Sequence, residues 1–293
     1  YSHEFVRVAC CVPRTRVADA AYNLAETIRL ARIGDREGAA IMVFPELGLS
    51  SYAIEDLLLQ DALLDQVEES IAEVVAASRD LFPVLIVGAP LRLAGRLYNS
   101  AIVIQGGVIL GVVPKTYLPN YREFYEKRHF VSGANLIEHT IRLAGRDVPF
   151  GTDMLFRSTG TVKVTFHVEI CEDIWVPVPP SSHAALAGAE VLVNLSASNI
   201  TIGKAEARRL LCGSQSARGI AAYAYSASGP GESTTDLAWD GHAAIYECGD
   251  QLVESARFEK ESTIVRADVD LGRIRQERLR NNGFADCAML EGE

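Results

Sequence analysis

Apolar and polar positions along this chain fall into two periods. FVRVACCV (5–12), AAIMVF (39–44), VLIVGAP (84–90), LYNSAIVIQ (97–105) and VILGVVPK (108–115) are short apolar runs of strand length. The Gly106-Gly107 pair between the last two predicts a tight hairpin. A helical period runs through VADAAYNLAETIRLAR (17–32), placing Val17, Ala21, Leu24, Ala25, Ile28 and Ala31 on one face. A second helical stretch is expected over 54–80.

The second half repeats the alternation. Strand-like pieces fall at 141–144 and 153–158, and VKVTFHVEI (162–170) alternates, with Val162, Val164, Phe166 and Val168 on one side. A capped helix is expected at 179–189, a strand at 191–196, and a helix at 204–219 that stops at a glycine. Strands at 220–228, 242–248, 251–256 and 262–270 and a helix at 271–280 complete the pattern. LPNYREFYEKRHFVSG (118–133) reads as a loop with a short helix. The sum is a mixed α/β sheet system covered by helices. With no repeat, linker or low-complexity stretch, residues 1–293 are expected to form a single domain.

Composition narrows this little. The chain is 48% hydrophobic and 23% charged with a formal net charge of -10, ordinary for a globular protein. No Lys/Arg cluster dominates, so no nucleic-acid partner is expected. No apolar run spans a bilayer and no basic-then-apolar leader opens the chain, so neither membrane insertion nor a signal peptide is expected. The six cysteines are scattered without metal-site or disulfide spacing, which points to a reducing cytoplasm.

Three polar residues end apolar strands: Glu46 after IMVFP, Lys115 after VILGVVP and Cys171 after VKVTFHVEI. In α/β folds, sites gather at strand carboxyl ends. A base, a cation and a thiol there would suit acyl transfer. Each residue also has a structural reading: a capping carboxylate, a solvated lysine, an inert buried thiol. The stretch EICEDIW (169–175) surrounds the thiol with acids, which raises its pKa. A Cys-His dyad with His167 fails on distance, since four strand residues separate the two by about 13 Å; His129, His139, His183 and His242 stay open as partners. A metal on Cys171, Glu172 and Asp173 is disfavoured because consecutive strand residues point to opposite faces. GPGESTTDLAWDG (229–241) lacks a phosphate-loop fingerprint and is expected near the site mouth.

VFPELGLSSY (43–52), GVVPKTYLP (111–119), FYEKRHFVSG (124–133) and HVEICEDIW (167–175) resemble the nitrilase superfamily of carbon–nitrogen hydrolases. Within it, PNYREFYEKR (119–128), ICEDIWVPVPPS (170–181), NLSASNITIGKAEARR (194–209) and 229–241 are similar to the glutamine amidohydrolase domains of glutamine-dependent NAD synthetases. The resemblance implies a four-layer α-β-β-α sandwich and hydrolysis of the glutamine side-chain amide through a cysteine thioester, supplying ammonia for NAD synthesis. It implies Cys171 as nucleophile, Glu46 as base, Lys115 as oxyanion stabiliser with the N–H of Glu172, and Glu126 as a supporting acid. By the same likeness Glu172 takes the substrate ammonium, Tyr121, Ser198 and Lys204 are further substrate-binding candidates, and Tyr52 and Phe124 wall the pocket.

No cofactor or metal is expected for the amidase step. ATP and deamido-NAD would enter only with an ammonia-accepting synthetase module, which this sequence lacks. A homo-oligomer is implied. Residue 51 is Ser where the family usually has Gly. A stand-alone amidase on another small amide and a non-catalytic interaction domain remain as alternatives.

Overall fold

The computed structural model describes residues 3–291. The first half gives β1 (Phe5–Val12), α1 (Ala20–Arg36), β2 (Ile41–Val43), α2 (Asp61–Ala77), β3 (Val84–Leu93), β4 (Arg96–Gln105) and β5 (Val108–Pro114). A hairpin, β6 (Thr140–Leu143) and β7 (Arg146–Pro149), precedes β8 (Phe156–Arg157) and β9 (Thr165–Ile170). There follow α3 (Pro180–Leu186), β10 (Val191–Ser196), α4 (Lys204–Arg218), β11 (Ala222–Ala227), β12 (Ala243–Glu247), β13 (Asp250–Glu254), β14 (Thr263–Asp270), α5 (Leu271–Arg280) and α6 (Asn282–Glu291).

Two six-stranded sheets run in the orders β14-β1-β2-β3-β4-β5 and β13-β12-β11-β10-β9-β8. β1, β2 and β3 are mutually parallel, as are β9, β10 and β11, and hairpins extend each sheet antiparallel. Alternation along β1 explains the layering. Val6, Val8, Cys10 and Val12 meet Phe166, Val168, Val191, Val193 and Ile245 of the other sheet, while Ala9 and Cys11 face the layer of α1 and α2 with Leu30, Val67 and Ile71. A third core packs Ala184, Ala185 and Cys212 of α3 and α4 on Leu192, Tyr223 and Tyr225. The result is α-β-β-α, as expected.

Several expectations need correction. The buried face of α1 is Ala20, Asn23, Leu24, Thr27, Leu30, Ala31 and Gly34, whereas Val17 is exposed. Two polar residues belong to that stripe because they are satisfied inside it: Asn23 bonds the backbone of Arg16 and Leu49, and Thr27 Oγ1 donates to Asn23 O. The 54–80 helix is broken at Gln60, whose extended ψ of 118° separates a 3₁₀ turn from α2. β7 and α6 were not anticipated; no residue of α6 is buried, so no apolar face marks it. Gly106 and Gly107 have φ of +57° and +81°, as a tight hairpin turn requires.

Candidate active site

The loops after β2, β5 and β9 meet where the two sheets face each other. Glu46 follows β2 by three residues and is fully buried. Its backbone N–H donates to Ser196 O across the sheets at 3.3 Å, and its Oε2 accepts from Ala197 N at 2.7 Å. The turn that carries it lies so close to β3 that a Cβ on Gly88 would stand 2.5 Å from both Leu47 N and Pro45 O. Only glycine fits there.

Lys115 caps the end of β5 and is 1% exposed. Its Nζ donates to Glu46 Oε1 and to Glu126 Oε1, both at 2.7 Å. Burial works to lower this ammonium's pKa, but the two carboxylates prevail and hold it well above its ordinary value. Glu126 is pushed up to about 7 by burial, with Lys115 opposing and Glu46 adding. The Tyr52 hydroxyl donates to the same Glu126 oxygen at 2.7 Å, while Glu126 Oε2 has no partner.

Cys171 sits at the turn after β9 with φ of +45°, a left-handed conformation rare for a residue with a Cβ. Its N–H donates to Asn194 Oδ1 at 3.2 Å. Burial pushes the thiol well above its usual range, and Glu46 adds to this; Lys115 and a hydrogen bond from Ser196 oppose it. Three of the histidines left open as partners are engaged elsewhere, His129 with Asp56, His242 with Glu254 and His183 with Glu291, and His167, set aside on distance, bonds Met154 O. His139 lies in the approach to β6, its carbonyl bonded to Phe150 N.

A second group lies beside the thiol. Tyr121 OH donates to Glu172 Oε1 at 2.8 Å. Lys204 Nζ donates to Asn199 Oδ1, and Asn199 Nδ2 donates to Glu123 Oε1 at 2.8 Å. The Lys204 ammonium stands 5.2 Å from the Phe124 ring centroid and 5.6 Å from that of Trp175. Burial lowers the pKa of Lys204 and raises that of Glu172. Ser198 is buried, and its Oγ has no partner. A cavity adjoining Glu126 is lined by Tyr52, Glu123, Phe124, Tyr125 and Leu237.

The 229–241 loop does reach this region. Glu232, which the sequence did not single out, accepts from Tyr52 N at 2.9 Å and from Ala53 N at 3.3 Å. Trp239 meets the Tyr52 ring edge-on at 5.6 Å. Ser51, in the family's glycine position, has φ of +68°. Asn99, Asp173, Asn194 and Ser196 were also missed. Their signal was available: polar residues inside the apolar runs LYNSAIVIQ and VLVNLS, or between Cys171 and Ile174, stay buried only with partners. Among the described residues, no group of His, Cys, Asp or Glu is arranged to hold a metal ion, and no helix is long and apolar enough to cross a membrane.

A buried carboxylate, ammonium and thiol on the facing strand ends of an α-β-β-α sandwich define a hydrolase of the nitrilase type. Residues 7–278 match the family model for carbon-nitrogen hydrolases, and the chain belongs to that family. It is 57% identical over 286 residues to the glutamine-dependent NAD(+) synthetase of Mycobacterium tuberculosis, a match covering 98% of this chain and 42% of that protein. The chain thus spans less than half the length of that relative. Among solved structures it resembles a glutamine-dependent NAD(+) synthetase from Cytophaga hutchinsonii, with TM-score 0.79 and 25% identity over 90% of this chain and 43% of that one. In fold it also resembles a nitrilase-superfamily amidase from Nesterenkonia, with TM-score 0.74 and 19% identity over 96% of this chain and 98% of the other.

Proposed function

We propose that this chain is the glutaminase unit of an NAD-forming enzyme, hydrolysing the glutamine side-chain amide and delivering ammonia. The observation that carries the chemistry is the buried Glu46–Lys115 contact of 2.7 Å beside Cys171. A thiol held protonated by burial needs a base at the moment of attack. Glu46 takes the Sγ proton as sulfur bonds to the amide carbon. Lys115 and the Glu172 N–H stabilise the oxyanion. Glu46 returns the proton to nitrogen, the C–N bond breaks, and ammonia leaves. A water deprotonated by Glu46 then cleaves the thioester, releasing glutamate and restoring the thiol. Glu126 and Tyr52 fix the lysine throughout.

Glutamine is favoured over a simple amide by the second group. A buried amino-acid head needs a partner for each of its charges. Glu172 suits the ammonium; Lys204 suits the carboxylate; the unpartnered Ser198 hydroxyl and Tyr121 complete the polar lining, with Phe124 as an apolar wall. The relatives named above are glutamine-dependent NAD(+) synthetases, which supports the same reading. ATP, deamido-NAD and an ammonia-accepting synthetase module belong to the longer enzyme, as does association into homo-oligomers. Residues 1–293 act as one hydrolase unit.

Ammonia release from a panel of amides is the test. Purified protein should prefer glutamine, and an electrophilic glutamine analogue should modify Cys171. Preference for an ω-amidated dicarboxylate without the α-ammonium would transfer the assignment to a free-standing amidase. No release from any amide, with Cys171 unmodified, would leave only an interaction domain.

A further inference from the structure

We propose that Asp173 is a positioning residue that locks the nucleophile's turn to the lysine's strand; this rests on reading Cys171 as the nucleophile. Asp173 is 1% exposed and takes no part in the reaction steps above. Its carboxyl oxygens accept three backbone N–H groups, one from its own turn and two from a segment more than fifty residues away. Oδ2 accepts from Ile170 N at 2.9 Å, and Oδ1 accepts from Tyr117 N at 2.8 Å. Thr116 N makes a longer contact to Oδ2 at 3.5 Å. Ile170 immediately precedes Cys171; Thr116 and Tyr117 immediately follow Lys115. β5 and β9 belong to different sheets, so one carboxylate ties the reactive end of one sheet to that of the other.

The turn it holds is under strain. A left-handed cysteine persists only where its surroundings over-determine it. Three bonds brace this one: Ile170 N to Asp173, Cys171 N to Asn194 Oδ1, and Trp175 N to Glu172 O at 2.8 Å. Of these only the Asp173 carboxylate also bonds the segment after Lys115. A neutral amide in its place could not serve both sides, because its NH2 would meet a backbone N–H donor. Losing the clamp lets the thiol drift from Glu46 and Lys115, and small misplacements of reacting groups are costly in rate.

Asp173→Asn is the test, read by steady-state kinetics and by iodoacetamide alkylation of Cys171, located by mass spectrometry. With glutamine, kcat should fall about tenfold or more while KM stays within about threefold. The pH profile of alkylation should shift, since the thiol's distance from Lys115 and Glu46 changes. Wild-type kcat with an unchanged alkylation profile overturns the proposal. So does a lowered Tm accompanied by wild-type kcat per folded molecule.

Should the variant not fold, amide exchange in the wild-type chain decides. Modifying Cys171 with an electrophilic glutamine analogue should change protection at both Ile170 and Tyr117. A change at Ile170 alone overturns the clamp. Cys171→Ala tests the underlying reading separately: retained ammonia release would remove the nucleophile assignment, whereas the alkylation and exchange readouts do not depend on turnover.

Discussion

Asn99 Nδ2 donates to Glu46 Oε1 at 2.6 Å, the same oxygen that accepts from Lys115. With Ala197 N on Oε2, both carboxylate oxygens are pinned and the group cannot rotate. A hydrogen bond to a charged group contributes about 1.5–3 kcal/mol. Asn99→Ala should therefore lower kcat for ammonia release by about ten- to a hundredfold, at about 1.4 kcal/mol per tenfold. Unchanged kcat would show that Lys115 and Ala197 suffice to aim the base.

Glu46→Gln keeps the shape of the side chain and removes its basicity. Turnover should be lost while circular dichroism and Tm stay close to wild type. Wild-type turnover in this variant would place the base elsewhere.

Glu126 gives a signed pH effect. In the unfolded chain its proton leaves near the ordinary value of 4.5, and in the folded site near about 7. Between these limits the folded state holds the extra proton, so this group makes stability fall as pH rises through the window and level off above about 7. Glu126→Gln should flatten the stability profile there by up to about 1.4 kcal/mol per pH unit relative to wild type. Chemical denaturation at pH 5, 6 and 7 checks this; parallel profiles would contradict it.

Gly88→Ala should destabilise the fold by about 1–3 kcal/mol, as expected of overpacking. The added methyl meets backbone rather than a flexible side chain, so the turn carrying Glu46 must move. Activity per folded molecule should fall with stability. Loss of stability alone would mean the turn shifts as a rigid piece.

Much of this was legible in the sequence because it is local. Apolar runs marked the strands that form both sheets, and polar residues at their ends marked Glu46, Lys115 and Cys171. What stayed hidden depends on which strands become neighbours. Asp173 is one of three acids near the cysteine in the sequence, and only the register of two sheets shows that it faces Thr116 and Tyr117 while Glu172 meets Tyr121. Glu232 lies 180 residues from the amide of Tyr52 it accepts from. The α1 face was misjudged because Asn23 and Thr27, satisfied by backbone partners, count as polar in any hydrophobic pattern.

Glu46 stitches one sheet to the other twice, its backbone N–H donating to Ser196 O and its carboxylate accepting from Ala197 N. On the proposed mechanism Glu46 and Lys115 follow strands of one sheet and Cys171 a strand of the other, so neither sheet alone holds the reaction centre. On that mechanism ammonia release requires the two sheets docked, which closes contacts of long sequence separation. Ammonia production would then report on sheet docking, appearing with it during refolding and vanishing with it on unfolding.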